Sequence, residues 1–251
     1  VFIEESQFKG HGESSVIEID AHWAFVYLSD FLGGEIDGNL LFDAKIFSGS
    51  AALELPDQLA SLAVDMGWTW HSVNDFAVQT RFAPGLYSDI EEIGSDAIFW
   101  PFSLALARGF TPGFYGVLGL NIRPYFKHVV MPIVGVDWEI TNLVHLKAQL
   151  PESRLIYYAT ANWTAYAGLK WESTTYALRD KASFDREQIT LEDFRYFGGL
   201  RYRINDELRI ALEIGEVFDR DVEFGRASED HPSDVDIDDA FFFRFAILGP
   251  F

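Results

Sequence analysis

Six histidines, a nearly balanced set of acids and bases on alternating positions, and one dense acidic run are the residues of this 251-residue chain that could do chemistry. Hydrolysis would need a histidine oriented by a carboxylate, with a serine or second acid in reach. Of His11, His22, His71, His128, His145 and His231, only His22 lies on the polar file of a readable strand beside a carboxylate, Asp20. No spacing supplies the third group, so no catalytic residue is assigned and the chain is read as non-enzymatic. Asp234, Asp236 and Asp238 alternate in a way that would suit a hard cation such as calcium. The run lacks the glycine and closing glutamate of an EF-hand loop, and a solvated acidic segment reads the same. The chain has no cysteine, which excludes disulfides and thiolate metal sites. Gly33-Gly34 and Gly198-Gly199 open no strand-to-helix phosphate loop. No metal and no cofactor are assigned.

The elements that must carry these groups are strands. Half of the residues are hydrophobic (49%) and 16% are aromatic, but no window holds the eighteen or so apolar residues of a membrane helix, and no amphipathic helix of three turns is apparent. Instead, apolar and polar side chains alternate. Ile17, Ile19, Ala21, Trp23, Phe25 and Tyr27 oppose Glu18, Asp20 and His22, while Phe194, Tyr196, Leu200 and Tyr202 oppose Asp193, Arg195, Arg201 and Arg203. The pattern recurs through residues 59–71, 76–82, 132–140, 143–150 and 207–218. Period-two alternation of this kind, repeated along one chain, is the signature of a transmembrane barrel, apolar toward lipid and polar toward the lumen. The expected lumen lining is then Glu18, Asp20, Asp65, Arg81, Asp137, Glu139, Lys147, Lys170, Arg195, Arg201, Arg209, Glu213 and Arg244.

Connections alternate in length. Tight turns read at residues 72–75, 110–113, 141–142, 160–162 and 205–206, with longer loops at 48–56, 88–97, 124–131, 179–190 and 220–239. Short turns on one rim and long loops on the other fit an antiparallel up-and-down β-barrel spanning residues 1–251 as one domain, with short periplasmic turns and longer acidic extracellular loops. The count is twelve to fourteen strands, with fourteen favoured if residues 1–9 form the first. Tyr27, Trp70, Phe76, Trp138, Trp163, Tyr202 and Phe251 flank the short turns as an interfacial girdle, where amphipathic rings prefer the headgroup level. A soluble β-sandwich or lipocalin-like barrel is the competing architecture. It would need an interior large enough for about fourteen aromatic-rich strands. The formal net charge of −20 comes mostly from the connections: residues 219–239 alone hold nine acids against two arginines. With no basic patch, nucleic acid is excluded as a partner.

The final segment, residues 238–251, puts Phe241, Phe243, Phe245, Ile247 and Phe251 on one file and ends on phenylalanine. It resembles the closing strand of bacterial outer-membrane β-barrels, which implies contact with the barrel assembly machinery and with outer-membrane lipid. The order of residues 55–59 (Leu-Pro-Asp-Gln-Leu), 83–89 (Ala-Pro-Gly-Leu-Tyr-Ser-Asp), 132–138 (Pro-Ile-Val-Gly-Val-Asp-Trp), 150–154 (Leu-Pro-Glu-Ser-Arg) and 166–168 (Tyr-Ala-Gly) is similar to that of an uncharacterised family of predicted bacterial outer-membrane barrels. The resemblance implies fold and a place in the bacterial outer membrane, and transfers no catalytic residue. The chain starts at Val1 with methionine only at Met66 and Met131, as expected of a processed exported product. Two functions fit. One is a porin-like passive channel for small polar solutes. The other is a non-conducting structural or docking barrel that binds other envelope or surface proteins.

Overall fold

The computed structural model describes residues 2–8, 12–48, 56–72, 75–90, 94–178, 188–205, 208–225 and 233–248. The described residues form a single antiparallel sheet that closes on itself. Its strands are β1 (Phe2–Phe8), β2 (Gly12–Phe31), β3 (Gly34–Ser48), β4 (Gln58–His71), β5 (Phe76–Phe82), β6 (Gly85–Ser88), β7 (Ile98–Phe99), β8 (Phe102–Thr111) and β9 (Phe114–Ile122). They continue with β10 (Val130–Thr141), β11 (Val144–Gln149), β12 (Glu152–Tyr158), β13 (Trp163–Ala177), β14 (Gln188–Arg203), β15 (Arg209–Gly225), β16 (Ser233–Ile237) and β17 (Ala240–Leu248). Three staves of the wall are interrupted strands. β5 and β6 both lie along β4, β7 and β8 along that stave, and β16 and β17 along β15. Counting each as one gives fourteen staves, and β1 closes the ring by pairing with β2 on one side and with β16 and β17 on the other.

Turn chemistry sets one rim. Gly33 and Gly113 adopt positive φ (73° and 75°) in the two-residue links β2–β3 and β8–β9, a conformation glycine enters without steric cost. The links at residues 72–75, 142–143, 159–162 and 204–208 lie on the same rim. The opposite rim carries the longer connections, except at β1–β2, where three residues separate the strands, and at β11–β12, which turns within two residues around the cis Leu150–Pro151 bond.

The wall is not of even height. β2 has 20 residues, β15 has 17 and β14 has 16, whereas β9, β11 and β12 have 9, 6 and 7. The tall staves therefore continue past the short ones. There Ser88 at the tip of β6 pairs in parallel with Ala177 at the tip of β13, reinforced by Asp89 N–H donating to Ala177 O at 3.3 Å. This contact draws β1, β2, β3, β4, β6, β13, β14, β15 and β16 into a narrower tube above the fourteen-stave barrel. Much of the acidic stretch read from the sequence as a loop at 220–239 is strand in this tube, since β15 runs to Gly225 and β16 resumes at Ser233. The alternation of Asp234 and Asp236 is thus the alternation of a strand, with partners Glu223 and Asp221.

The lower wall is apolar outside. Trp23, Leu62, Val64, Leu104, Leu118, Val134, Leu155, Leu169, Leu200, Leu212, Ile214 and Phe243 are all exposed on the outward file. No helix among the described residues is long and apolar enough to cross a membrane. The closed ring leaves no long sheet edge to water or lipid, and it presents its apolar file outward, so the fold is a transmembrane β-barrel.

Candidate functional site in the barrel interior

Because side chains alternate across the sheet, one cross-barrel contact fixes which file points inward. Arg195 of β14 reaches Glu18 of β2 at 3.2 Å although the two strands are not neighbours. Propagating the register from these residues places Asp20, Asp65, Arg81, Asp137, Glu139, Lys147, Lys170, Arg201, Arg209, Glu213 and Arg244 on the inward file as well. Trp70, Phe76, Trp138, Trp163 and Tyr202 point outward near the short-turn rim, with Trp163 and Tyr202 packed at 4.7 Å between ring centres. Tyr27 does not join them. A bulge between Ala24 and Val26 shifts the register of β2, so that Tyr27 pairs with Asp37 on the inward side, beside Glu35. One extra residue exchanges the faces of everything beyond it. Phe251 lies outside the described residues.

The inward groups collect into layers. In the middle of the tall staves Lys45 Nζ sits 3.0 Å from Glu18, 3.8 Å from Glu172 and 3.9 Å from Asp43. Arg195 holds Asp193 with two hydrogen bonds of 2.8 and 3.0 Å and also approaches Glu18 and Glu172. Lys170 caps Glu172 at 2.7 Å. Tyr176 donates to Asp43 at 3.0 Å. Glu18, Lys45 and Arg195 are 4%, 5% and 8% exposed, so this layer fills the section of the lumen it occupies. Such a network repays the desolvation of its charges only while every partner is in place; removing one member leaves the others buried and unpaired, at about 3–5 kcal/mol.

Above that layer the interior changes character. Val16, Phe47, Leu59, Tyr176, Ile189, Val222 and Phe224 form a buried cluster inside the narrow tube, with Tyr87, Leu178 and Leu191 packed against it. Outward positions there are polar: Thr190, Glu192, Asp221 and Glu223 face away from the tube. The tube is therefore an inside-out continuation of the barrel, with a dry core and a wet surface. Over the short staves the mouth is covered by Phe99 and Phe126, which meet Tyr87 at 5.2 and 5.3 Å between ring centres.

The β9–β10 connection, residues 123–129, is pinned to the outside of the tube. Arg123 Nη1 donates to Ser173 O at 2.8 Å, and Lys127 N–H donates to Thr175 Oγ1 at 3.1 Å. Lys127 Nζ bridges Glu192 and Glu223 at 3.1 and 2.6 Å, and His128 bonds Glu192. Partial burial works against the charge on Lys127, but the hydrogen bonds to Glu223 and Glu192 outweigh it and raise its pKa. For Arg123 burial wins, lowering its pKa to about 10.

Below the ion-paired layer an apolar cluster of Tyr166, Phe197, Val217 and Phe242, with Ile156 packed against it, is buried on the inward face, and toward the short-turn rim the remaining inward groups are mostly polar. Arg81 ties Asp65 and Asp37 together on one wall, accepted by Asp37 Oδ2 at 2.8 Å. Arg244 bridges Asp20 at 2.9 Å and Glu213 at 3.6 Å. His145 bonds Asp137, and Lys147 stands 3.8 Å from the same carboxylate. His22 makes no dyad with Asp20, whose partner is Arg244; among the described residues the histidine–carboxylate pairs are His145–Asp137 and His128–Glu192. The first was readable from the β10–β11 hairpin register, which brings His145 opposite Glu139 and one step from Asp137. The second joins a loop to a distant strand, and no local pattern marks it.

Glu18, Asp20 and Asp43 offer oxygens within 4.8 Å of one another, a spacing that could hold a metal ion. Lys45 and Arg244 already supply the positive charge there, which argues for ion pairing by the chain itself. Residues 48–230 match the family described as a domain of unknown function, DUF6268. The chain belongs to that family. Among solved structures it is similar to a KdgM porin, at 10% identity and a TM-score of 0.39 over 100% of this chain and 99% of that one. It is also similar to a NanC porin, at 8% identity and a TM-score of 0.38 over the full length of both. No curated protein matches the sequence.

Proposed function

We propose that this protein is an outer-membrane barrel of a diderm bacterium whose lumen is held shut, so that it serves as a structural or docking barrel. The observation that carries this reading is the double closure of the tall side: the layer around Lys45 and Arg195 fills the lumen with ion pairs, and the apolar cluster around Leu59 and Tyr176 seals it above. A hydrated ion crossing this section would have to displace groups that are buried and mutually compensated. The acidic outer surface of the tube is the face offered to envelope or surface partners, and the C-terminal strand is the part the assembly machinery would read. The chemistry of the interior is ion pairing and hydrogen bonding, and no catalytic role is assigned to it.

A second reading, a porin-like passive channel for small polar solutes, is favoured by the vestibule on the short-turn side, lined by Arg81, Asp137, Lys147 and Arg201. Insertion of folded, heat-modifiable protein into planar bilayers separates the two. The closed reading expects no resolved steps in wild type; regular steps would establish the channel.

A further inference from the structure

Below the ion-paired layer the two sides of the barrel are packed differently. On the tall side the inward Tyr166, Phe197, Val217 and Phe242 are buried against one another. On the short side the register carries the inward file of Arg81 on to Ser103 and Asn121, and with them Ala105, Ala107, Val117 and Gly119. These six residues face the lumen, yet all are only partly buried. At the foot of the same wall His71, Ala77, Ala107 and Tyr115 line a cavity of about 330 Å³. The unfilled part of the lumen therefore runs along β5, β8 and β9, beside the tall-side closure and not through it.

What closes this side above is the segment of residues 123–129. Phe126 is 4% exposed and Phe99 is fully buried, and their ring centres lie 5.1 Å apart, against Tyr87. Phe126 reaches this place from a connection whose other ties are polar: Arg123 to Ser173 O, Lys127 N–H to Thr175, Lys127 Nζ to Glu192 and Glu223, and His128 to Glu192. The closed position is also strained. Tyr125 has a φ of 72°, a left-handed conformation that a bulky side chain rarely enters. Arg123 is 8% exposed, and its Nε and Nη2 have no hydrogen-bond partner among the described residues. Leaving this position would relax the backbone at Tyr125 and return the guanidinium to water, so both features favour movement.

We propose that residues 123–129 are a lid, and that its release opens a conducting passage along the short staves, making the protein a gated channel. The lid turns on Ile122 and Val130, the last paired residues of β9 and β10. Its release requires loss of the polar ties to β13, β14 and β15 and withdrawal of the Phe126 ring from Phe99 and Tyr87. The layer around Lys45 and Arg195 and the cluster around Leu59 and Tyr176 stay in place throughout. The proposal thus goes beyond the closed reading, which describes the molecule with the lid latched.

Planar-bilayer recording on a folded double variant, Lys127→Cys with Thr175→Cys, tests the lid. The chain has no cysteine, so these are its only thiols, and the 3.1 Å contact between Lys127 N–H and Thr175 Oγ1 sets them side by side. In the reduced form the Lys127 bridges and the Thr175 tie are absent, and resolved conductance steps are expected. Oxidation, confirmed by loss of free thiol, ties the segment to β13; the steps should disappear and return with reductant. Should the double variant lose heat-modifiable mobility, Lys127→Glu is the second variant. It sets a third acid against Glu192 and Glu223 and should conduct where wild type is silent. A folded, reduced double variant without steps, steps that persist in its oxidised form, or a silent, folded Lys127→Glu would overturn the proposal. Steps from wild type would contradict the closed reading alone; the lid then stands if oxidation silences the double variant and falls if it does not.

Discussion

β14 crosses two environments within sixteen residues, and its two files exchange roles on the way. From Arg203 to Asp193 the inward positions are Arg203, Arg201, Gly199, Phe197, Arg195 and Asp193, against outward Tyr202, Leu200, Tyr196 and Phe194. Beyond Asp193 the inward residues are Leu191 and Ile189, and the outward ones Glu192 and Thr190. The same exchange occurs on β15, where Glu213 and Val217 face inward below and Val222 and Phe224 above, with Asp221 and Glu223 outward. Below the exchange the surroundings are lipid and the interior is mostly charged, with one buried apolar cluster around Phe197 and Val217; above it the surroundings are water and the interior is apolar. One strand thus serves a membrane barrel and a water-exposed tube with an apolar core. The ion-paired layer sits at the junction, where charged side chains can be satisfied by one another after lipid-facing residues end and before apolar packing begins.

This contrast can be broken at several points, and the largest effect should come from the junction. Arg195→Ala strands Glu18, Asp193 and Glu172 in a buried layer and should cost about 3–5 kcal/mol in urea unfolding from detergent. A loss under about 1 kcal/mol would mean that water reaches the layer freely. In the tube, Leu59→Ala removes a fully buried side chain and should cost about 2–5 kcal/mol. Were the tube an open mouth, the same substitution would be nearly neutral. On the outside, Leu200→Arg places a charge against lipid and should cost about 2–4 kcal/mol, whereas Ser48→Arg at the far end of β3 should stay within about 0.5 kcal/mol. Equal costs at the two positions would erase the boundary between the two environments.

The smallest effect is that of pH on residues 123–129. A raised lysine pKa means that the contribution of Lys127 is fully present below its unfolded value, near 10.5, and lost as pH rises through the folded value above it. The Lys127 side chain is 31% exposed, so solvent screening keeps the contribution modest. Limited proteolysis should cut this segment faster at about pH 11.5 than at about pH 8, with the barrel itself intact. An unchanged cleavage rate would show that Arg123 and the Thr175 contact hold the segment without the lysine.

Much of the lower barrel was legible in the sequence because each inward and outward choice there is local: alternation at period two names both faces, and the short turns name one rim. Fourteen staves follow from the same pattern once residues 2–8 are counted. The errors arose where geometry is not local. Tyr27 was read outward because a bulge adds one residue without changing composition. The upper ends of β15 and β16 read as loop in the sequence because strands with reversed faces look like acidic connections when alternation is judged by its lipid-facing register. The pairing of β6 with β13, which makes the tube, joins residues about ninety apart and leaves no mark on either segment. Lys45, Glu172, Asp43 and Asp193 could be assigned to the interior, but their meeting in one layer depends on which staves face each other across the lumen.

The claim that the tall side is shut is tested most directly by single-channel recording on folded protein in planar bilayers, wild type beside Arg195→Ala. The closed account expects a silent wild type, with any current appearing only in the variant that opens the ion-paired layer. Stable, regular conductance steps from wild-type protein would contradict it.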